Sequence, residues 1–317
     1  MKASMRDTLG DGMSDIHRQV LVLGATGQQG GSAAAALLEA GWAVRALVRN
    51  PDSAKAAALR DTGVELVRGS FDDLKSMRRA MLDVHGVFSV QPSSGGGPVL
   101  GITDEQEERY GMAVADLAVE CGAAHLVYTS TNAVGRTPTG MGHLDTKARI
   151  EAHIRTLPIT STIVRPATFM EMLVMPGFGL DQRRFDFFLR PEQQLQLIAV
   201  ADIGRFVAAA FSDASALGGK TFEIAGDTVT GLDIQRLFTA AAGYPIRYAR
   251  FSDELLAGNP FLRRLTELLD EGRLTGSADL TVLRGINPAL QDLESWLAGP
   301  GRTAFRAALN ADVPIGN

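Results

Sequence analysis

The sequence is short of cysteine, lysine, tyrosine and long apolar runs, and each shortage removes something. A single cysteine, Cys121, in 317 residues excludes an internal disulfide and a cysteine-built metal site, and it fits a reducing cytoplasm. Nothing beside it in sequence lowers a thiol pKa, so Cys121 reads as a small buried hydrophobe near a helix end. There is no apolar run of the roughly eighteen residues that a membrane span needs, and no membrane helix is expected. The opening stretch, Met1 to Gln19, mixes basic and acidic residues without an apolar signal core. It reads as a flexible tail, with Met13 as an alternative start. The formal net charge is −5, which gives no electrostatic footprint for nucleic acid, so direct DNA or RNA binding is not expected.

What is there is globular: 45% hydrophobic and 21% charged residues. The length exceeds what one core usually organises, so a large α/β domain with a smaller lobe is expected, and two lobes imply a cleft. From Val20 onward, short apolar runs alternate with helical patterns, as in βαβ units around a parallel sheet. Strands are expected at Val20 to Leu23, Ala43 to Val48, Val64 to Val67, Gly86 to Val90, His125 to Thr129 and Ile159 to Val164. The helices between them carry their own punctuation. Gly41 follows the first, Asp72 or Asp73 caps the third, Thr103 with Gln106 forms a capping box, and Pro158 follows the helix from His143 to Thr156. Gln91 to Gly97 is a Pro, Ser and Gly loop expected to have few contacts and to be mobile. The Rossmann-type part spans residues 20–170, and 171–317 is mainly a substrate or partner lobe. Leu195 to Val200, the helix from Ala201 to Ser212 and Thr221 to Ala225 are read as returns to the core sheet, so the lobes interleave. Met and Phe residues gathered between Phe169 and Leu189 suit either an adaptable apolar cleft or ordinary lobe packing.

The first strand runs directly into Gly24-Ala-Thr-Gly27-Gln-Gln-Gly30-Gly31, and a helix follows. Glycines there allow a tight turn and close approach of a pyrophosphate. The helix N-terminus presents amides and partial positive charge to it, and the third glycine lets helix and strand pack closely. The spacing and its strand-to-helix setting predict a doubly wound, Rossmann-type parallel sheet that binds a dinucleotide. After the second strand, where an acidic residue selects NAD(H), the chain reads Leu47-Val-Arg49-Asn50. Arg49 offers a planar fork for a 2′-phosphate, and NADP(H) is expected in preference to NAD(H). Phe71 and Asp72 follow the third strand, where an apolar ring and a hydrogen bond could meet adenine. Helix capping explains Asp72 equally well. A third cluster joins Thr129-Ser130-Thr131 to His143-x-x-x-Lys147, which share one helical face.

Together these segments resemble the NmrA-like, or atypical, branch of the short-chain dehydrogenase/reductase superfamily. The likeness runs from about Val20 to Leu297 and is carried by Val22 to Gly31, Val44 to Asn50, His143 to Lys147, Ile163 to Ala167 with Phe169-Met-Glu171, and Ile198 to Gly204. The resemblance implies cofactor contacts at Gly24, Thr26, Gly27, Gln28, Gln29, Gly30, Arg49, Phe71, Asp72, Lys147, Pro166 and Phe169. Active dehydrogenases of the superfamily use Ser, Tyr and Lys at the spacing held here by Ser130, His143 and Lys147, so these three are the catalytic candidates. Histidine stands where the tyrosine belongs, and none of the four tyrosines, Tyr110, Tyr128, Tyr244 and Tyr248, is an evident substitute. The expected function is therefore a redox or cofactor sensor or regulatory module with a partner surface on the C-terminal lobe. The alternative is an NADPH-dependent reductase of a quinone, enone or carbonyl compound. No metal site is expected.

Overall fold

The computed structural model describes residues 18–95, 101–135 and 137–310. The tail expected at the N-terminus, up to residue 17, lies outside them, as do Gly96 and Gly97 of the loop expected to be mobile. The strand β1 (Gln19–Val22) sends Val20 and Val22 into one apolar layer and Leu21 into another. A strand buried on both faces belongs in the interior of a parallel sheet. It begins inside the stretch read as tail, since Gln19 already pairs with Ala43.

The chain continues through α1 (Gln28–Glu39), β2 (Ala43–Val48), α2 (Ala54–Asp61), β3 (Glu65–Arg68), α3 (Leu74–Met81), β4 (Gly86–Ser89), α4 (Asp104–Glu120), β5 (His125–Thr129), α5 (Gly142–Ile154) and β6 (Thr160–Pro166). Side chains set the helix starts. Ser53 and Asp73 accept hydrogen bonds from first-turn amides of α2 and α3, and Thr103 with Gln106 closes a capping box on α4. The cap of α3 is thus Asp73, which leaves Asp72 for another role. Beyond β6 come β7 (Thr168–Phe169), β8 (Arg184–Phe187), β9 (Gln194–Ile198), α6 (Val200–Ser212), α7 (Ala214–Leu217), β10 (Thr221–Ile224), β11 (Asp227–Thr230), α8 (Gly231–Ala242) and β12 (Arg247–Arg250). Among the described residues five helices follow: α9 (Asp253–Gly258), α10 (Pro260–Asp270), α11 (Leu280–Ile286), α12 (Leu293–Ala298) and α13 (Arg302–Leu309).

Seven strands make one parallel sheet in the order β10-β6-β5-β4-β1-β2-β3. α1 and α6 cover one face, while α3, α4 and α5 cover the other. The chain steps outward from β1 to β3, then crosses to β4 on β1's far side. This reversal opens a crevice at the carboxyl ends of β1 and β4, the place where open α/β sheets bind ligands.

Of the three segments read as returns to this sheet, α6 and β10 do return. The segment from Leu195 to Val200 does not: β9 pairs antiparallel with β11 and parallel with β7 in a separate three-stranded sheet. The edge of β6 is already taken by β10, so β9 turns its leucines into the second core. That core also absorbs most of the Met and Phe segment. Met170, Phe185, Phe187, Phe188 and Leu189 are buried in it, leaving Met172 and Met175 exposed. Lobe packing, not a cleft lining, explains the composition.

At the amino ends of the strands, His125 lies under Phe211 and is 1% exposed. Thr162 donates its hydroxyl proton to the Leu217 carbonyl at 2.9 Å, so it must accept from His125 Nε2 at 2.8 Å. That places a proton on Nε2, and the buried Nδ1 has no partner among the described residues. Burial, helped by His85, pushes the His125 pKa down to about 4. Because the unfolded chain binds this proton near 6.5 and the folded one only near 4, stability is intact above pH 6.5 and declines as pH falls through that window. The expected loss is about 3 kcal/mol by pH 4. Urea unfolding from pH 7 to 4 should show it, with a shallower slope in His125→Phe; an identical slope in the variant would exclude His125 as the source.

Candidate functional site

The crevice starts at the turn between β1 and α1. Gly24 adopts φ +66°, and a Cβ there would lie 2.8 Å from the Val90 carbonyl oxygen. At Gly30 a Cβ would lie 2.2 Å from the Gly24 oxygen, whereas at Gly27 the nearest atom would be that same oxygen at 3.2 Å. Gly24 and Gly30 are therefore demanded by the fold, and Gly27 is exposed, with that single tight contact as its only near neighbour. No side chain caps α1, and its first turn holds no acidic residue. The amides of its first turn and the positive end of its dipole are thus available to an anion. Thr26 and Gln28 are exposed, and Gln29 is held back by a 2.7 Å hydrogen bond from the Thr129 hydroxyl.

Two further expected contacts lie along the same edge. Arg49 follows β2, exposed, with no ion pair among the described residues. The register of β2 on β3 sets Val48 against Arg68, a second exposed arginine tied to Asp52 only at 3.9 Å. Arg68 was missed in the sequence because its proximity to Arg49 comes from strand pairing. Asp72 accepts hydrogen bonds from Tyr110 Oη at 2.6 Å and Arg109 at 3.2 Å, and Phe71 packs against Tyr110 with ring centroids 5.4 Å apart. Phe71 and Asp72 thus stand as one braced unit beyond β3.

The three catalytic candidates do not form one hydrogen-bonded set among the described residues. Lys147 is largely buried and donates to Glu107, to Ser93 Oγ at 3.3 Å and to the His143 carbonyl at 3.0 Å. Its three N–H donors are all engaged. His143 packs at a tilt against Phe261 of α10 with centroids 5.5 Å apart, and a Cβ at Gly95 would come within 2.7 Å of its ring. Burial, reinforced by Lys147, lowers its pKa, so the ring is neutral at pH 7. Ser130 is buried, and its hydroxyl has no hydrogen bond of good geometry. Glu151 lies one turn beyond Lys147. Burial works against its ionisation, but hydrogen bonds from Arg165 and Arg155 outweigh it and hold the carboxyl below its ordinary value.

Pro166 is buried at the end of β6, where its carbonyl accepts from the Asn132 amide at 3.3 Å. Phe169 is half-buried in β7, beside Ile198. The expectation of few contacts after β4 fails for residues 91–95, which Glu107 and His143 hold in place. Glu107, Ser93, Ser94 and Phe261 carry no sequence signal, because the contacts that gather them come from separate elements. Among the described residues no cluster of His, Cys, Asp and Glu could hold a metal ion, and no helix is long and apolar enough to cross a membrane.

Residues 17–277 match the NmrA-like family. An NmrA-like family domain-containing protein of Dictyostelium discoideum is 25% identical over 262 residues, covering 78% of this chain and 84% of that one. A (4-alkanoyl-5-oxo-2,5-dihydrofuran-3-yl)methyl phosphate reductase of Streptomyces griseus is 28% identical over 231 residues, 72% of this chain and 76% of its own. Among solved structures, that of NmrA, a negative transcriptional regulator, in complex with NADP superposes with a TM-score of 0.74 at 18% identity. It covers 92% of this chain and 98% of its own.

The glycine geometry separates two substitutions. Gly30→Ala drives a methyl into the Gly24 backbone and should destabilise the protein by about 1–3 kcal/mol, whereas Gly27→Val should melt close to wild type. Thermal unfolding of both checks this; equal melting points would mean that the turn relaxes freely.

Proposed function

The chain belongs to the NmrA-like family, and from that premise we propose that it is an NADP(H)-binding sensor or regulatory module whose C-terminal lobe reports cofactor occupancy to a partner. The cofactor assignment rests on the uncapped α1 terminus for the pyrophosphate and on Arg49, assisted by Arg68, for the 2′-phosphate. Asp72 and Phe71 would take the adenine. The observation that carries the regulatory reading is the lack of a ready proton donor: histidine with a lowered pKa occupies position 143 against Gly95 and Phe261, and Lys147 has no uncommitted donor. General acid catalysis requires a proton within hydrogen-bond reach of the reacting atom. Cys121 is half-buried at the end of α4, and its partial burial raises the thiol pKa.

The name of the Streptomyces relative favours a second reading, an NADPH-dependent reductase. A bound NADPH would supply hydride to a quinone, enone or carbonyl carbon, and water entering the crevice would supply the proton. Residues of this chain would then orient the acceptor rather than protonate it.

One measurement tests the cofactor assignment that both readings share, and a second decides between them. Calorimetric titration should give NADPH a dissociation constant roughly ten- to a hundredfold below that of NADH, with the preference lost in Arg49→Ala; equal affinities in the wild type would overturn the 2′-phosphate assignment. A screen of NADPH consumption over quinones, enones and aldehydes should show none above background. Steady consumption with any of them establishes the reductase instead.

A further inference from the structure

Glu107 lies in the first turns of α4, outside the capping box, and is 0% exposed. One carboxylate oxygen accepts from the Ser94 amide at 2.7 Å, Ser94 Oγ at 2.9 Å and Ser93 Oγ at 3.3 Å, and the other accepts from Lys147 Nζ. Burying two charges is costly, and such a pair persists only when its hydrogen-bonding groups are satisfied. Here they are. Lys147 meets three acceptors, and Glu107 holds the segment 91–95 against α4 and α5. The chain of contacts runs on, because a Cβ at Gly95 would come within 2.7 Å of the His143 ring, and that ring packs at a tilt against Phe261 of the second lobe. α10 is in turn fastened over the sheet end, where Arg264 Nε donates to the Thr139 carbonyl at 2.9 Å and Leu268 packs on Met141 and Leu144.

Lys147's three acceptors are not equivalent. Glu107 is charged, the His143 carbonyl belongs to the same helix, and Ser93 Oγ is neutral, at 3.3 Å. All three bonds are charge-assisted by the ammonium, but only Glu107 adds an opposite full charge and Ser93 makes the longest of the three, so Ser93 is the partner that a sugar hydroxyl displaces at least cost. We propose that Glu107 positions Lys147 for the ribose of the dinucleotide and links occupancy of the crevice to the second lobe. A ribose hydroxyl exchanges with Ser93 on Lys147, and the released segment carries the change through Gly95 and His143 to Phe261. This rests on the dinucleotide reading given above.

The test is a double-mutant cycle on the full chain, with NADPH affinity by calorimetry and hydrogen exchange at residues 91–95 and at the start of α10. Glu107→Gln keeps the shape and the acceptor for Ser94 but removes the charge that fixes Lys147. It should weaken NADPH binding roughly tenfold, the value of one charge-assisted hydrogen bond. The same substitution in a Lys147→Met background should have no further effect. NADPH should alter exchange at α10 in the wild type and not in Glu107→Gln. Additive losses, a folded Glu107→Gln with wild-type affinity, or an unchanged α10 response in that variant would each overturn the link. Should Glu107→Gln fail to fold, Ser93→Ala removes only the exchangeable acceptor and should tighten NADPH binding severalfold; an unaltered affinity there overturns the proposal as well. A wild-type protein that binds no NADPH refutes the dinucleotide reading itself, an outcome distinct from failure of the Glu107 variants alone.

Discussion

The approach of Gly30 to the carbonyl of Gly24 is the constraint on which the rest of the structure depends. At 2.2 Å from that oxygen, a single added carbon would force the turn open and swing α1 away from the sheet. The other flank of α1 is equally close-set. A Cβ at Gly204 of α6 would meet the Ser32 carbonyl oxygen at 2.3 Å, and Ser32 Oγ donates to the Val200 carbonyl at 2.8 Å. Backbone contact on both flanks fixes the axis of α1 and therefore the direction of its first-turn amides. The anion site is a by-product of packing that the fold needs in any case.

Buried charge does the remaining joining. Glu107 ties α4, α5 and the connection after β4. Glu151 accepts from Arg165 and Arg155 and ties α5 to β6. Asp202, at 0% exposure, accepts from Arg205, Asn287 and the Gln291 amide and ties α6 to the connection between α11 and α12. Removing one partner from such a pair costs about 3–5 kcal/mol, against a total of about 5–15 kcal/mol for a domain. These carboxylates act as fasteners between segments far apart in sequence, and one of the three, Glu107, holds the connection that follows β4.

A Rossmann-type sheet hosts many chemistries, so the fold does not choose between regulation and reduction. The choice lies in the proton. A phenol at position 143, beside a lysine with an uncommitted donor, would make a general acid. Here position 143 holds an imidazole with a lowered pKa that touches Gly95 and Phe261, and the lysine is enclosed by acceptors.

The alternation of strands and helices, the glycine turn, the capping box at Thr103 and the place of Arg49 after the second strand were all legible in the residues alone. Each is written in short-range chemistry: apolar periodicity, the steric demand of a missing Cβ, and the affinity of small polar side chains for first-turn amides. Other features were decided only in three dimensions. Whether β9 joins the main sheet depended on β10 already occupying the edge of β6. Whether the phenylalanines from 178 to 188 line a cleft or fill a core depended on the helices that close over them. Whether Lys147 is free depended on Glu107, forty positions earlier on another helix. Those outcomes are competitions between distant groups for one edge, one apolar surface or one ammonium, and a linear sequence does not record which competitor is nearer.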